Sequence, residues 1–243
     1  MTWSIIARDR DGSFGVAIAS RFFAVGALCV HTRRAVGALS TQALMNPRYA
    51  PAGIGLLADG VDPAEAIARL TDADEGRAQR QLHLIGASGR GAAWTGAQCI
   101  DWCGHLVHHD FSVAGNMLAG PAVLDATAAA FVASAGRPLD ERLVEAMAAG
   151  EAAGGDKRGK QAAALRVHGD GDLPRLDLRV DDHDEPIVEL RRLQAKSLER
   201  FQPFVACLAG RNDPVGIVDR DEIERRIAAF AAARGRRGGP GLA

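Results

Sequence analysis

Short runs of apolar and alternating residues recur along the chain and predict β-strands that pair as hairpins. The first two runs, residues 1–8 and 13–20, flank Asp11-Gly12, and an Asp-Gly pair between β-rich segments is the strongest short-range hairpin signal. Further strands are predicted at residues 27–31, 35–41, 80–87, 91–95, 111–118, 161–168 and 175–180. Because neighbouring strands are joined by short turns, the sheets are predicted to be largely antiparallel.

Helices are predicted between the groups of strands, where apolar residues recur three and four positions apart, and four of them begin at Asn-Pro, Asp-Pro, Gly-Pro or Glu-Pro. The predicted helices begin at residues 46, 62, 120, 139, 185 and 219, and the fifth is a single long helix to residue 208. Two sheets packed face to face, with helices outside, would bury both faces of each sheet. The pattern therefore predicts an α+β fold, a four-layer α-β-β-α sandwich, with a two-layer α+β fold as the alternative.

The sandwich is predicted to occupy residues 1–210 as one domain, since no linker divides that stretch. Residues 211–243 are predicted to add an amphipathic helix, with Ile223, Ile227 and Phe230 on one face, and a disordered Gly- and Arg-rich tail.

Composition and net charge bear on the partners and the location of the protein. The 243 residues are 47% hydrophobic and 24% charged with a net charge of −1, which gives no electrostatic reason to expect a nucleic-acid or membrane partner. No run of about 18 apolar residues or secretory leader is found. The four cysteines are scattered, which favours reduced thiols and a cytoplasmic location.

Thr2 is the first candidate for chemistry. Its small side chain is of the kind that permits removal of Met1, which would leave a free α-amino group on Thr2 at the start of a strand. An α-amine has a pKa of about 7.7–8.0, so it can take the proton of its own residue's hydroxyl. Threonine with an N-terminal amine is a recognised acyl-transfer nucleophile. The alternative is an ordinary strand residue.

The chain resembles the N-terminal-nucleophile (Ntn) hydrolases, among them proteasome β-subunits and penicillin acylase. It is more closely similar to an uncharacterised bacterial family of Ntn-hydrolase-like proteins, some mislabelled as pilin-assembly proteins. Six stretches carry this resemblance: Thr-Trp-Ser-Ile at 2–5, Ser-Arg-Phe-Phe-Ala-Val-Gly at 20–26, Thr-Gln at 41–42, Gly-Asn-Met-Leu-Ala-Gly at 115–120, Ala-Gly-Gly-Asp at 153–156 and Leu-Arg-Val-Asp-Asp-His at 178–183.

The resemblance implies the four-layer fold and a nucleophile at Thr2. Two positions depart from the proteasome pattern. Ala19 stands where those subunits have an Asp, and by count Arg33 and Arg34 stand near their pKa-lowering Lys. Arginine supplies a positive field but cannot shuttle a proton. These departures favour an amidase in which the α-amine transfers the proton over proteasome-like proteolysis.

Further candidates follow from strand ends and loops. Asn116 with a backbone N–H could form an oxyanion hole, or the side chain could satisfy a turn. Asp156 could hold the α-ammonium or orient Arg158, which could grip a substrate carboxylate. The alternative for both is a solvated turn. Ser20 is expected beside Thr2.

Gln42 and Asn46 follow a strand and precede a helix, where clefts are commonly lined, and both are candidate substrate-binding residues. For Asn46, capping of the helix that begins near Pro47 is the favoured interpretation.

A cluster of cysteines and histidines contains residue types that bind zinc, but the spacing of these residues matches no common zinc-binding pattern. It consists of Cys99, Cys103, His105, His108 and His109. Small buried cysteines and surface histidines are favoured, and neither a metal nor another cofactor is expected.

Three hypotheses remain. The first is an Ntn-type amidohydrolase acting on a small amide or peptide-like metabolite through Thr2. The second is a non-catalytic subunit or small-molecule binding protein of the same fold. The third keeps Met1 and uses Ser20 or Cys103 as nucleophile. A homo-oligomer is expected in each case.

Overall fold

The computed structural model of the chain describes residues 2–237. The strands are β1 (Thr2–Arg8), β2 (Phe14–Ser20), β3 (Val30–Arg33), β4 (Gly37–Ala43), β5 (Arg80–Gly86), β6 (Gly91–Thr95), β7 (Trp102–Val107), β8 (Phe111–Leu118), β9 (Ala162–His168) and β10 (Leu176–Val180). The helices are α1 (Val25–Cys29), α2 (Tyr49–Ala58), α3 (Pro63–Asp72), α4 (Ala122–Ala133), α5 (Leu139–Ala152), α6 (Pro186–Ser197), α7 (Phe201–Val205) and α8 (Arg220–Arg237).

The strands form two antiparallel sheets. The larger has six strands in the order β10-β9-β2-β1-β8-β7, and the smaller has four in the order β3-β4-β5-β6. The first hairpin forms as predicted, and Gly12 takes the left-handed conformation that its turn requires, with φ of 83°. The predicted α+β class with antiparallel sheets is confirmed.

The sheets pack against each other and each carries helices on its outer face. Strands β1 and β8 contact β4 and β5 across the interface between the sheets. Helices α4, α5 and α6 contact the six-stranded sheet, whereas α2 and α3 contact the four-stranded sheet. The order of layers is therefore helix, sheet, sheet, helix.

The side chains of strand β1 point alternately to two different layers of the protein. Trp3, Ile5 and Ala7 point to the helix-covered face and belong to the core formed with α4 and α5. Ser4 and Ile6 point to the other sheet. All five residues are completely buried, so neither face of the strand is a solvent face.

The interface between the sheets has two chemically different halves. The apolar half is formed by Ile6, Val16, Ile18, Ala38 and Ile85. The polar half is formed by Ser4, Ser40, Gln42, Gln81, His83, Ser112 and Asn116, all at most 1% exposed. The polar half extends from the end of the larger sheet where β1 begins, at which Thr2 is paired in register with Asn116, to Ser112, which is paired with Ile6.

Three predicted elements differ from the structure. Residues 25–29 form helix α1 instead of a turn and the start of a strand. Residues 102–107 form edge strand β7, which the sequence did not indicate because Gly104 and a register shift interrupt its pattern. The single helix expected to residue 208 ends at Ser197, because Pro203 lacks an N–H and its ring would clash with the preceding turn.

Helix α8 begins at Arg220, one residue after the predicted start, and continues to Arg237. The tail expected to be disordered lies, from residue 238 onward, outside the described residues. The boundary at residue 210 stays a prediction. Over residues 2–237, every helix is too short or too polar to traverse a bilayer.

Candidate functional site

Thr2 opens strand β1 at the centre of the larger sheet, between β2 and β8. It is paired in register with Ser20 on one side and Asn116 on the other. The Thr2 hydroxyl donates a hydrogen bond of 3.1 Å to the Ser20 hydroxyl. Cα atoms paired across antiparallel strands lie about 4.5–5.5 Å apart, so the three side chains share one small region. The structure thus brings Thr2, Ser20 and Asn116 together.

Asp156 closes the same end of the sheet. Its carboxylate accepts the backbone N–H of Arg21, which follows β2, at 3.2 Å, and its backbone forms a bridge with Leu118 at the end of β8. Strands β2 and β8 flank β1, so Asp156 lies beyond the point where β1 begins. Only 1% of its side chain is exposed. A buried carboxylate therefore lies at the end of the sheet where β1 begins.

Arg158 accompanies Asp156. Its backbone N–H donates to the Asp156 carboxylate at 2.8 Å, and its guanidinium lies 3.7 Å from the same carboxylate. The side chain of Arg158 is 45% exposed, so this ion pair is open to solvent on one side. The Arg21 side chain donates to the Arg158 carbonyl and ties the loop to the end of β2.

The amide of Asn116 is held by Gln81. Asn116 Nδ2 donates to Gln81 Oε1 at 2.9 Å, and Gln42 Nε2 donates to the same oxygen at 2.7 Å. Gln81 Nε2 lies 2.8 Å from the Gly115 carbonyl, which fixes the Gln81 amide in turn. One of the two Asn116 amide hydrogens is therefore committed to Gln81, and the other can serve a different acceptor.

The other polar side chains of this half, Ser4, His83 and Ser112, are linked to Gln42 by a chain of hydrogen bonds. Ser4 donates to Gln42 Oε1 at 2.7 Å, so His83 Nε2, 2.9 Å from Ser4 Oγ, must be the donor of that pair. His83 Nδ1 then accepts from Ser112 at 3.0 Å. Burial lowers the pKa of His83 to about 3, so the ring is neutral with its proton on Nε2.

A cavity of about 250 Å³ borders Asn116. It is lined by Ala43, Leu44, Gln79, Gln98, Cys99, Ile100, Asn116 and Met117. Ala43 and Met117 occupy the left-handed region, with φ of 65° and 55°. Each non-glycine residue there costs about 1–2 kcal/mol, and such strain clusters at functional sites.

Arg33 and Arg34 do not lie near Thr2. Arg33 is paired with Gly37, at the opposite end of β4 from Ala43, and the six intervening steps of a strand span about 20 Å. Arg34 forms an ion pair with Asp170 at 2.9 Å. The prediction matched them to the proteasome lysine by residue count and assumed a strand at residues 27–31. Helix α1 occupies most of that stretch, so β3 begins later in the chain than the prediction assumed.

Gln42 and Asn46 have different surroundings. Gln42 belongs to the polar half, as described above. Asn46 donates to the Asp74 carboxylate at 2.9 Å and accepts the N–H of Arg48, which is the N-cap residue of α2. The bond from Asn46, with others from Tyr49 and Arg80, lowers the pKa of Asp74 far below its usual range. Asn46 thus organises the turn before α2. Its partners lie outside the group formed by Thr2, Ser20 and Asn116, which we call the Thr2 cluster.

The thiols and imidazoles of residues 99–109 do not form a metal site. Within residues 2–234, no group of three or more His, Cys, Asp and Glu side chains is placed to hold a metal ion. Cys103 Sγ donates to the Cys99 carbonyl, and His105 is bonded to Thr95. Burial raises the pKa of both Cys99 and Cys103, so both thiols are protonated at neutral pH.

Sequence reasoning missed the supporting residues Ser4, Gln81, His83 and Ser112. Gln81 and His83 alternate with Leu82 and Leu84, a pattern that usually marks a strand with one solvent face. The available signal was the identity of those polar residues, because amides and a histidine are less typical of a solvent face than lysine or glutamate.

The chain was compared with known families and structures. A model of a family of unknown function, DUF1028, matches residues 2–190. This chain is a member of the DUF1028 family. The crystal structure of protein SPO2555 from Silicibacter pomeroyi, another DUF1028 protein, is similar with a TM-score of 0.83 and 31% sequence identity, covering 90% of this chain and 96% of that one.

Anbu, an ancestral β-subunit from Yersinia bercovieri, is matched at a TM-score of 0.36 and 13% identity, over 81% of this chain and 94% of that one. A comparison with curated proteins finds no match. The DUF1028 match includes every residue of the Thr2 cluster and of the polar half.

Proposed function

We propose that this DUF1028 protein is an Ntn-type amidohydrolase that cleaves a small amide or peptide-like metabolite in the cytoplasm. Thr2 is the nucleophile after removal of Met1. One observation carries the proposal: Thr2 begins the central strand with its hydroxyl on Ser20 and with Asn116 in register beside it. The helix-sheet-sheet-helix layering supports assignment to the Ntn-hydrolase-like class.

The proposed mechanism needs only groups of this chain. The Thr2 α-amine takes the proton of its own hydroxyl, directly or through a water, and Oγ attacks the amide carbon. The second Asn116 N–H and a backbone N–H stabilise the oxyanion, each contributing about 2.7–4 kcal/mol. The C–N bond breaks, the leaving amine takes the proton, and an ester on Thr2 remains. Water hydrolyses that ester and restores the hydroxyl.

Asp156 sets the charge in this scheme, in place of Arg33 and Arg34. Its buried carboxylate lies beyond the start of β1 and would stabilise the α-ammonium that forms when the Thr2 hydroxyl loses its proton. Arg158, half-exposed beside it, is placed to contact an anionic or carbonyl group of the substrate.

The test combines intact-mass measurement with covalent labelling. We expect purified protein to lack Met1, and a β-lactone probe to add one acyl group to the Thr2 peptide. Thr2→Ala removes the hydroxyl together with the γ-methyl and keeps a small residue after Met1, so labelling should fall by at least about 10³-fold, whereas Thr2→Ser, which loses the methyl alone, should keep it. Thr32→Ala, with Thr32 bonded to His168, is the matched control. Retained Met1, or unchanged labelling of Thr2→Ala, would refute the proposal.

A non-catalytic binding protein is the second candidate, and the burial of Thr2 favours it. The residue is only 6% exposed, so its hydroxyl offers little surface to a substrate. Labelling that survives in Thr2→Ala and maps to Ser20 or Cys103 would instead support a side-chain nucleophile.

A further inference from the structure

The cavity beside Asn116 has an uncharged lining. Asn116 forms its inner part, being 1% exposed, while Leu44 and Ile100 stand at its rim with 59% and 63% exposed. Ala43 and Met117 supply further apolar surface, and the amides of Gln79 and Gln98 add polar groups. Among the residues that the structure describes, the lining includes no carboxylate, ammonium or guanidinium group.

The neighbouring charges are engaged with groups of the protein. Arg80 pairs with Asp74 at 3.1 Å and also donates to the backbone carbonyl of Leu44. Asp101, which follows the lining residue Ile100, lies 3.6 Å from Lys157. Burial raises the pKa of Cys99, so this thiol is also neutral. A charged group entering the cavity would lose water without gaining an opposite charge.

The position of the cavity relative to Thr2 determines which part of a ligand enters it. Asn116 is both the register partner of Thr2 and part of the cavity wall. An amide that bound at the Thr2 hydroxyl with its oxygen on Asn116 would direct its acyl substituent toward the cavity wall that Asn116 forms. The volume of about 250 Å³ suits a short chain of a few carbons.

We propose that this cavity binds the acyl substituent of the substrate and selects short, uncharged, largely apolar acyl groups over charged ones of the same length. The inference rests on the proposed function for its catalytic consequence, whereas the binding itself does not require Thr2 to react. The left-handed backbone at Ala43 and Met117 holds two of the walls in place.

The experiment uses full-length protein and amides of one aminocoumarin that differ only in the acyl group: N-butyryl and N-succinyl. We expect kcat/KM to favour butyryl by at least about tenfold, because the succinyl carboxylate finds no cation. Leu44→Lys adds a cation at an exposed rim position and should raise the succinyl-to-butyryl ratio by at least about fivefold. Leu173→Lys, at a residue 78% exposed and outside the cavity, should leave the ratio unchanged.

Saturation-transfer NMR with butyramide and succinamate, on the wild type and Leu44→Lys, separates the two proposals. Binding of butyramide that Leu44→Lys weakens supports the cavity assignment even where no aminocoumarin is released, an outcome that counts against the amidase only. Release of both amides at equal rates, or a ratio that Leu44→Lys leaves unchanged, would overturn the assignment while the amidase stands. Absence of both binding and release would overturn it as well.

Discussion

The apolar and polar halves of the interface between the sheets are equally buried but chemically opposite. The apolar half packs branched aliphatic side chains such as Ile18 and Ile85, which gain free energy simply by leaving water. The polar half contains Gln81 and His83, whose groups are tolerable only because each has a hydrogen-bonding partner. A well-packed protein has no need of the second arrangement for stability alone, and the polar half includes Asn116, a residue of the proposed site.

Two residues with left-handed backbone lie at the polar half. Ala43 and Met117 lie near the ends of strands β4 and β8 and line the cavity. Other residues in this region of φ lie elsewhere, among them Ala24, which precedes α1, and Ala35, between β3 and β4. The comparison therefore predicts that substitutions in the two halves affect different properties of the protein.

The largest expected loss of stability is in the apolar half. Ile18→Ala should lower the free energy of unfolding by about 4 kcal/mol, because Ile18 is completely buried and the removed atoms leave a cavity. Ile18→Val should cost about 1 kcal/mol. Urea unfolding measures both, and substrate preference should not change. A loss below about 1 kcal/mol for Ile18→Ala would show that this half is not the main source of stability.

Gln81→Leu should cost less stability but more function. It keeps the volume while depriving the amides of Asn116 and Gln42 of their acceptor, for a loss of about 3 kcal/mol. Because Asn116 also loses its orientation, Thr2 labelling should fall about 10²-fold. Gln161→Leu, whose amide bonds Asp182 at the surface, should change stability by less than about 0.5 kcal/mol. Labelling that survives Gln81→Leu would separate Gln81 from the site.

His83 gives the polar half a pH dependence. Its folded-state pKa of about 3 lies below the ordinary value of 6.5, so between these values the unfolded chain binds a proton that the folded chain does not. Stability should therefore fall with decreasing pH in that window, with His83 contributing about 1.4 kcal/mol per pH unit, and should not depend on His83 above pH 7.

The measurement is urea unfolding of wild type and His83→Gln at pH 7, 6, 5 and 4. Other histidines whose pKa is lowered, among them His31, His105 and His168, add to the slope of both proteins, so the difference isolates His83. His109→Gln, at an exposed residue, is the control. Parallel stability curves for wild type and His83→Gln would contradict a buried neutral His83.

The smallest expected effect has opposite signs at two alanines. Ala43→Gly should stabilise the protein by about 0.5 kcal/mol, because glycine adopts a φ of 65° without a steric penalty. Ala92→Gly, in strand β6, should destabilise it by about 0.5–1 kcal/mol, because glycine loses more conformational freedom there. Thermal unfolding compares the two. A destabilising effect of Ala43→Gly would show that the backbone at Ala43, in the wall of the cavity, is not strained.

Local signals predicted most of the elements. The Asp11-Gly12 turn determined the first hairpin, and Asp62-Pro63 determined the start of α3, where the Asp62 side chain caps the helix. The predictions failed where an element is determined by contacts with residues far away in the chain, or by its place between two other elements. Residues 25–29 form a helix between β2 and β3 despite their strand-like composition, and β7 is held by β8 across a register shift.

The grouping of the proposed site residues could be anticipated only in part, for the same reason. Thr2, Ser20, Asn116 and Asp156 were indicated by their positions at strand ends and in a loop, and the structure brings them to one end of the larger sheet. Counting along the chain could not place Arg33, because the length of the preceding helix changed which residue begins β3.

By itself, the sequence determined the hairpins, most helix starts and the candidate nucleophile, since each depends on residues close together in the chain. Only the tertiary structure decided which face of each strand is buried. A period of two separates the faces of a strand, but it cannot tell water from a second sheet. In this protein the second sheet covers Gln81 and His83, and hydrogen bonds across that contact turn an apparent solvent face into the support of the site.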